Sequence, residues 1–131
     1  MDKFVKGYMT DAAVDVVMEE AGCIPPGFSR IKLPAHYKPA IGEVAIVSAR
    51  TSTLNAGIFT PIGLIDPEYE GTISAWVFNC SNESYAYNIG DRLFSVVNLQ
   101  LAPPRVKYEI INDNKRGKNN LGSSGGHTNG W

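Results

Sequence analysis

The sequence predicts an all-β fold, a sandwich or barrel of short strands, and three observations carry that prediction. Stretches rich in Val, Ile, Phe or Trp recur along the chain at strand length. Dense turn chemistry separates them. Short strands joined by frequent turns favour a sandwich or barrel over alternating β/α units.

Taken in chain order, the first segment is ambiguous. Thr10–Ala21 (TDAAVDVVMEEA) offers a capping Thr10, good helix formers, acidic residues and Gly22 as a stop. Local chemistry leaves helix and strand both open there. Ile24-Pro25-Pro26-Gly27 is a turn, followed by a weaker strand candidate at Phe28–Leu33. Pro39-Ala40-Ile41-Gly42 turns the chain into the strong strand Glu43–Ala49. Asp66-Pro67-Glu68-Tyr69-Glu70-Gly71 turns it into the second strong strand, Thr72–Cys80. A weaker candidate at Ser84–Ile89 and the turn Ile89-Gly90-Asp91 lead to the third, Arg92–Leu101. Val106–Ile111 is the last weak candidate. From Asn112 to Trp131 the chain is Asn-, Gly- and Ser-rich, with almost no apolar residue before Leu121 and Trp131. That composition buries too little surface to order itself, so the expected division is a β domain over 1–111 and a flexible C-terminal arm over 112–131.

The totals narrow the function. A chain of 131 residues is one domain with room for a core. A formal charge of −1 exerts no general pull on nucleic acid or anionic lipid, and Lys and Arg are scattered apart from Lys115, Arg116 and Lys118. Neither a nucleic acid nor a membrane is expected as a partner. Cys23 and Cys80 match no metal or redox spacing and read as reduced, partly buried thiols. Asp2 and Lys3 stand where a secretory signal would begin its basic and apolar run, and no long apolar stretch follows. The expectation is a soluble protein of the cytoplasm, or of a host cytoplasm if the chain is viral. On that expectation the sequons Asn79-Cys80-Ser81 and Asn82-Glu83-Ser84 are coincidental.

Five segments, in order, carry a resemblance. Asp11-Ala12-Ala13-Val14-Asp15-Val16 is followed by an apolar stretch ending in Pro25-Pro26-Gly27. Ala49-Arg50-Thr51-Ser52-Thr53 comes next, with Gly57-Ile58 beyond it. Gly63-Leu64-Ile65-Asp66-Pro67-Glu68-Tyr69-Glu70-Gly71 is the third segment and Gly90-Asp91-Arg92-Leu93 the fourth. Arg116-Gly117-Lys118-Asn119-Asn120-Leu121-Gly122-Ser123-Ser124-Gly125 closes the set. Together they resemble the trimeric dUTPase family, within the dUTPase and dCTP deaminase superfamily. The resemblance implies a distorted, jelly-roll-like β-barrel and a homotrimer whose C-terminal arm is exchanged between subunits. It also implies a strand at Ala12–Met18, with Val14, Val16 and Met18 on one face.

The implied activity is hydrolysis of dUTP to dUMP and pyrophosphate with Mg²⁺. Such chemistry needs an in-line nucleophile, neutralised phosphate charge and fixed geometry. Asp66 is implied to aim the attacking water as a base. Tyr69 is implied to lie flat under the deoxyribose, leaving no room for a 2′-hydroxyl. Gly63, Leu64 and Ile65 are implied to line the substrate, and Thr60 to face its base. Asp15 is implied to support the Mg²⁺ that the triphosphate carries, through metal-bound water. Arg50, Thr51 and Ser52 would meet the phosphates, a subunit contact being the alternative for Arg50. In the tail, Arg116 offers a guanidinium fork, Leu121 would lie over the base, and Gly122, Ser123 and Ser124 supply backbone N–H groups and hydroxyls. The tail is not a Walker loop, because Gly117-Lys118 runs into Asn119 and lacks the earlier Gly.

The chain departs from the family's usual pattern in four places. Thr60 stands where an Asn usually reads the pyrimidine edge, and a hydroxyl replaces only part of an amide's donor–acceptor pair. Leu121 replaces a Phe, Ser95 a Gln, and Glu70 a basic residue. The related deaminases need a glutamate in the strand after the hairpin; that position is Trp76, which disfavours deamination. His36 and His127 are expected in a surface loop and the tail, outside the chemistry. Two alternatives follow: a sister diphosphatase with altered choice between dCTP and dUTP, and a non-catalytic nucleotide-sensing or protein-binding module.

Overall fold

The structure, a computed structural model, describes residues 1–112. Arg116, Leu121, Gly122, Ser123, Ser124 and His127 lie outside the described residues. Ten strands and one short helix follow in order: β1 Phe4–Val5, β2 Ala13–Val16, β3 Gly22–Ile24, β4 Gly27–His36, β5 Glu43–Ala49, α1 Thr51–Asn55, β6 Ile58–Phe59, β7 Gly63–Ile65, β8 Thr72–Asn79, β9 Tyr85–Tyr87 and β10 Phe94–Gln100. They form a five-stranded sheet β1-β2-β10-β5-β7, a three-stranded sheet β4-β8-β6 and a ribbon β3-β9. The fold is all-β, as the sequence predicts.

The two main sheets enclose one core. Val16, Phe94, Val96, Ala45, Val47 and Ile65 come from the first; Leu33, Ala35, Ile58, Ile73, Ala75 and Val77 come from the second. Phe94 is fully buried at the centre, so Phe94→Ala would cost about 3–5 kcal/mol. Pairing explains why 10–21 resolves as strand. β2 lies antiparallel to β10, with Val14 opposite Val96 and Asp15 opposite Ser95, and that ladder outweighs a modest helix propensity.

Glycines supply the left-handed backbone at the turns, at Gly27 (φ 87°), Gly42 (φ 88°), Gly57 (φ 86°) and Gly90 (φ 90°). β4 bulges between Lys32 and His36, around Pro34, which has no N–H to give a ladder. The ribbon is tied on by Asn79, whose Nδ2 donates to the carbonyls of Ile24 and Glu83, both at 2.9 Å. Its Oδ1 accepts from Ser81 N at 3.0 Å and Ser81 Oγ at 2.8 Å. The amide of that sequon is therefore fully used inside the fold.

Four sequence expectations need correction. Cys23 and Cys80 are exposed rather than partly buried. Val106–Ile111 is not a strand: all of 101–112 is exposed, since a strand needs a partner and none lies beside it in this chain. His36 ends a strand, paired with Asp2, instead of sitting in a loop. The helix α1 was not foreseen; its five residues are too few to show a period.

The outward face of the five-stranded sheet is unusual for a surface. One row across it reads Leu64, Ile46, Val97 and Ala13, and a second reads Val44 and Leu99. A third, at the opposite end, reads Ser48, Ser95 and Asp15.

Candidate active site

The hairpin from β7 to β8 is fixed by its own backbone. Tyr69 N donates to Asp66 O at 3.2 Å, and Glu68, at φ 63°, donates its N–H to Pro39 O at 2.9 Å. The Tyr69 hydroxyl donates to Thr72 O at 2.9 Å. Its ring lies against Gly71, where any Cβ would overlap the ring's Cζ and Oη. Burial raises the Tyr69 phenol above its ordinary value, so the hydroxyl stays a neutral donor across the physiological range. Asp66 sits at the mouth of this turn, half-buried. Gly63 and Ile65 face inward, while Leu64 is exposed.

Thr60 precedes the hairpin and is buried, at 8% exposure, with a hydroxyl that finds no partner among the described residues. A buried hydroxyl left unpaired is costly, so this group is suited to a ligand's polar edge or a water.

A second group forms where β2, β5 and β10 meet. Ser95 Oγ donates to Asp15 Oδ1 at 2.7 Å. Asp15 Oδ2 faces Arg50 Nε at 3.2 Å and Arg92 Nη1 at 3.5 Å. Arg50 also donates from Nη1 to the Arg92 carbonyl at 2.9 Å. Its backbone N–H reaches Leu93 O at 3.0 Å, and the buried Thr53 hydroxyl donates to the same carbonyl at 2.8 Å. Thr51 and Ser52 follow on α1, both exposed. Arg92 is the residue that sequence reasoning left without a role; its position in Gly90-Asp91-Arg92-Leu93 was the available signal.

This donor set does not fit a protein-held Mg²⁺. Each Asp15 oxygen is already engaged, and one carboxylate against two guanidinium groups leaves the group at +1, which repels a cation. Among the described residues, no three His, Cys, Asp or Glu gather to hold a metal.

The two groups do not meet within one chain. Asp66 follows Ile65, which pairs with Ala45 near the start of β5, whereas Arg50 follows its last residue, Ala49. By strand rise they stand roughly 20 Å apart. One copy cannot close both groups around a single α-phosphate.

All-β topology, a Tyr-anchored Asp hairpin and a Ser-locked arginine pair define a fold and site of the nucleotide-hydrolase type found in dUTPases. The dUTPase family model matches residues 2–125; the chain belongs to the dUTPase family. The deoxyuridine 5′-triphosphate nucleotidohydrolase of Kluyveromyces lactis is 27% identical over 124 residues, covering 92% of this chain and 84% of that protein. A dCTP deaminase of Pyrococcus horikoshii is 28% identical over 111 residues, covering 79% of this chain and 67% of that protein. Among solved structures, the Staphylococcus bacteriophage 80alpha dUTPase with dUPNHPP aligns at a TM-score of 0.72 and 20% identity, covering 94% of this chain and 91% of that one. The dUTPase of phage phi11 of S. aureus, described with a structural Mg(II) ion, aligns at 0.70 with 20% identity over 83% and 88%.

Proposed function

We propose that the chain is a dUTP diphosphatase. Water, aimed by Asp66 acting as base, attacks the α-phosphorus in line. A new P–O bond forms, the bond from the α-phosphorus to the bridging oxygen breaks, and pyrophosphate leaves. The water's proton passes to Asp66 and on to solvent, and dUMP remains. Mg²⁺ enters as the companion ion of the triphosphate. The observation that carries this reading is Asp66 held at the mouth of a hairpin whose Tyr69 is locked to Thr72 O and Gly71, in a chain of the dUTPase family.

In this reading Tyr69 carries the deoxyribose on its ring, Gly63–Ile65 line the nucleoside, and Thr60 meets the base. Arg50, Thr51 and Ser52 of another copy hold the phosphates. The separation of Asp66 from Arg50 supports an assembled site, as does the outward row Leu64, Ile46, Val97 and Ala13, an apolar face suited to a second copy. A homotrimer meets both demands. The exposed Val106, Tyr108 and Ile110, spaced for one face of a strand, suit an arm laid on a neighbour. The segment from 112 onward then brings Arg116, Leu121, Gly122, Ser123 and Ser124 over the nucleotide as a lid.

Releasing pyrophosphate from dUTP, but not from dTTP, is the expected result of a side-by-side assay; no turnover of either would refute the proposal. A second reading is favoured by Thr60, whose unpartnered hydroxyl can donate or accept. It accommodates the amino group of cytosine as well as the carbonyl of uracil, so dCTP belongs in the same assay. Trp76, which can neither give nor take a proton in that role, argues that dCTP would be hydrolysed rather than deaminated.

A further inference from the structure

The group at β2, β5 and β10 supports an inference that rests on the diphosphatase reading and extends it. Its layers are ordered by exposure: the Asp15 side chain is 14% exposed, Arg50 32% and Arg92 36%. The acid lies beneath and the two bases lie toward solvent. Two guanidinium groups so close together repel, and the carboxylate between them offsets that repulsion and fixes their planes. Ser95 locks the remaining freedom by holding Oδ1 at 2.7 Å, which presents Oδ2 to both arginines.

The donors left over point to a ligand class. Arg50 spends Nε on Asp15 and Nη1 on the Arg92 carbonyl, leaving Nη2 without a partner among the described residues. Arg92 spends Nη1 and leaves Nε and Nη2. The nearest other acid in sequence, Asp91, is turned away, accepting the Asn88 N–H at 2.8 Å. Forked N–H donors carrying a net positive charge suit terminal phosphate oxygens.

We propose that Asp15 is a positioning residue, holding Arg50 and Arg92 as a two-armed receptor for the pyrophosphate end of the substrate, and that it does not serve Mg²⁺. Arg92 is thereby a phosphate-binding residue, and Ser95 is the lock on the acid between the bases.

Calorimetric titration of inorganic pyrophosphate into the full chain, in EDTA, tests this without metal or turnover. Asp15→Asn and Arg92→Gln are each expected to weaken binding about tenfold, and Ser95→Ala about threefold. Asp15→Glu, which keeps the charge, should recover part of the affinity. In parallel, the Mg²⁺ midpoint for dUTP turnover should stay within about twofold in Asp15→Asn, while its KM rises more than its kcat falls. Wild-type protein that ignores pyrophosphate in EDTA overturns the proposal. So does Asp15→Asn that binds pyrophosphate normally but needs about ten times more Mg²⁺. If Asp15→Asn loses its circular dichroism signature, Arg92→Gln and Ser95→Ala decide instead: weakened pyrophosphate binding in both upholds the receptor, and unchanged binding in both overturns it. Wild-type chain that leaves dUTP intact sinks the diphosphatase reading alone, because the calorimetry still measures the receptor.

Discussion

Gly71 leaves its neighbour no tolerance, because the Tyr69 ring occupies the space a side chain would need. Gly71→Ala must push the ring aside or shift the hairpin, at about 1–3 kcal/mol; denaturant unfolding should show that loss, and KM for dUTP should rise with it. Asp66→Asn keeps the shape but cannot take a proton, so nucleotide binding measured calorimetrically should persist while kcat falls about 10²–10⁴-fold. Both residues belong to one short segment, which is why they were legible in sequence. Arg92 was not. Its role depends on Asp15, brought alongside Ser95 from eighty residues away, and only strand register creates that contact. Thr60 was readable as a substitution, but its unpartnered hydroxyl emerges only from the packing around it.

At the level of elements, the strongest apolar runs became β5, β8 and β10, because Val, Ile, Phe and Trp patterns between Gly- and Asp-bearing turns report strand burial directly. The segment 10–21 resolved as strand through its ladder with β10, a long-range term that local propensity does not contain. Val106–Ile111 carries the alternation of a strand but has no pairing edge in its own chain, so its pattern was legible and its partner was not. Asn79 is the clip between β8 and the β3-β9 ribbon. Asn79→Ala strands the carbonyls of Ile24 and Glu83 and the Ser81 donors, and is expected to cost about 2–4 kcal/mol in chemical denaturation. Removing everything after Lys115 touches none of the described strands. The truncated protein should melt as the full chain does and keep its assembly state in solution, yet retain little dUTP turnover; unimpaired turnover would remove the lid from the proposal.

For the whole molecule, the separation of Asp66 from Arg50 along β5 makes a distinctive test. Asp66→Asn and Arg50→Gln should each be nearly inactive alone. Mixed by co-refolding in equal amounts, they place intact Asp66 and intact Arg50 around the same site in about a quarter of random combinations. Activity should return to about that fraction of wild type, and no recovery would mean that each chain builds its own site. The same separation has a physiological reading. Because β5 keeps its two chemical ends apart, rate and self-association become one equilibrium. Diluting the protein below its assembly threshold would cut turnover per chain as well as total turnover, so expression level would act as a steep throttle on nucleotide clearance.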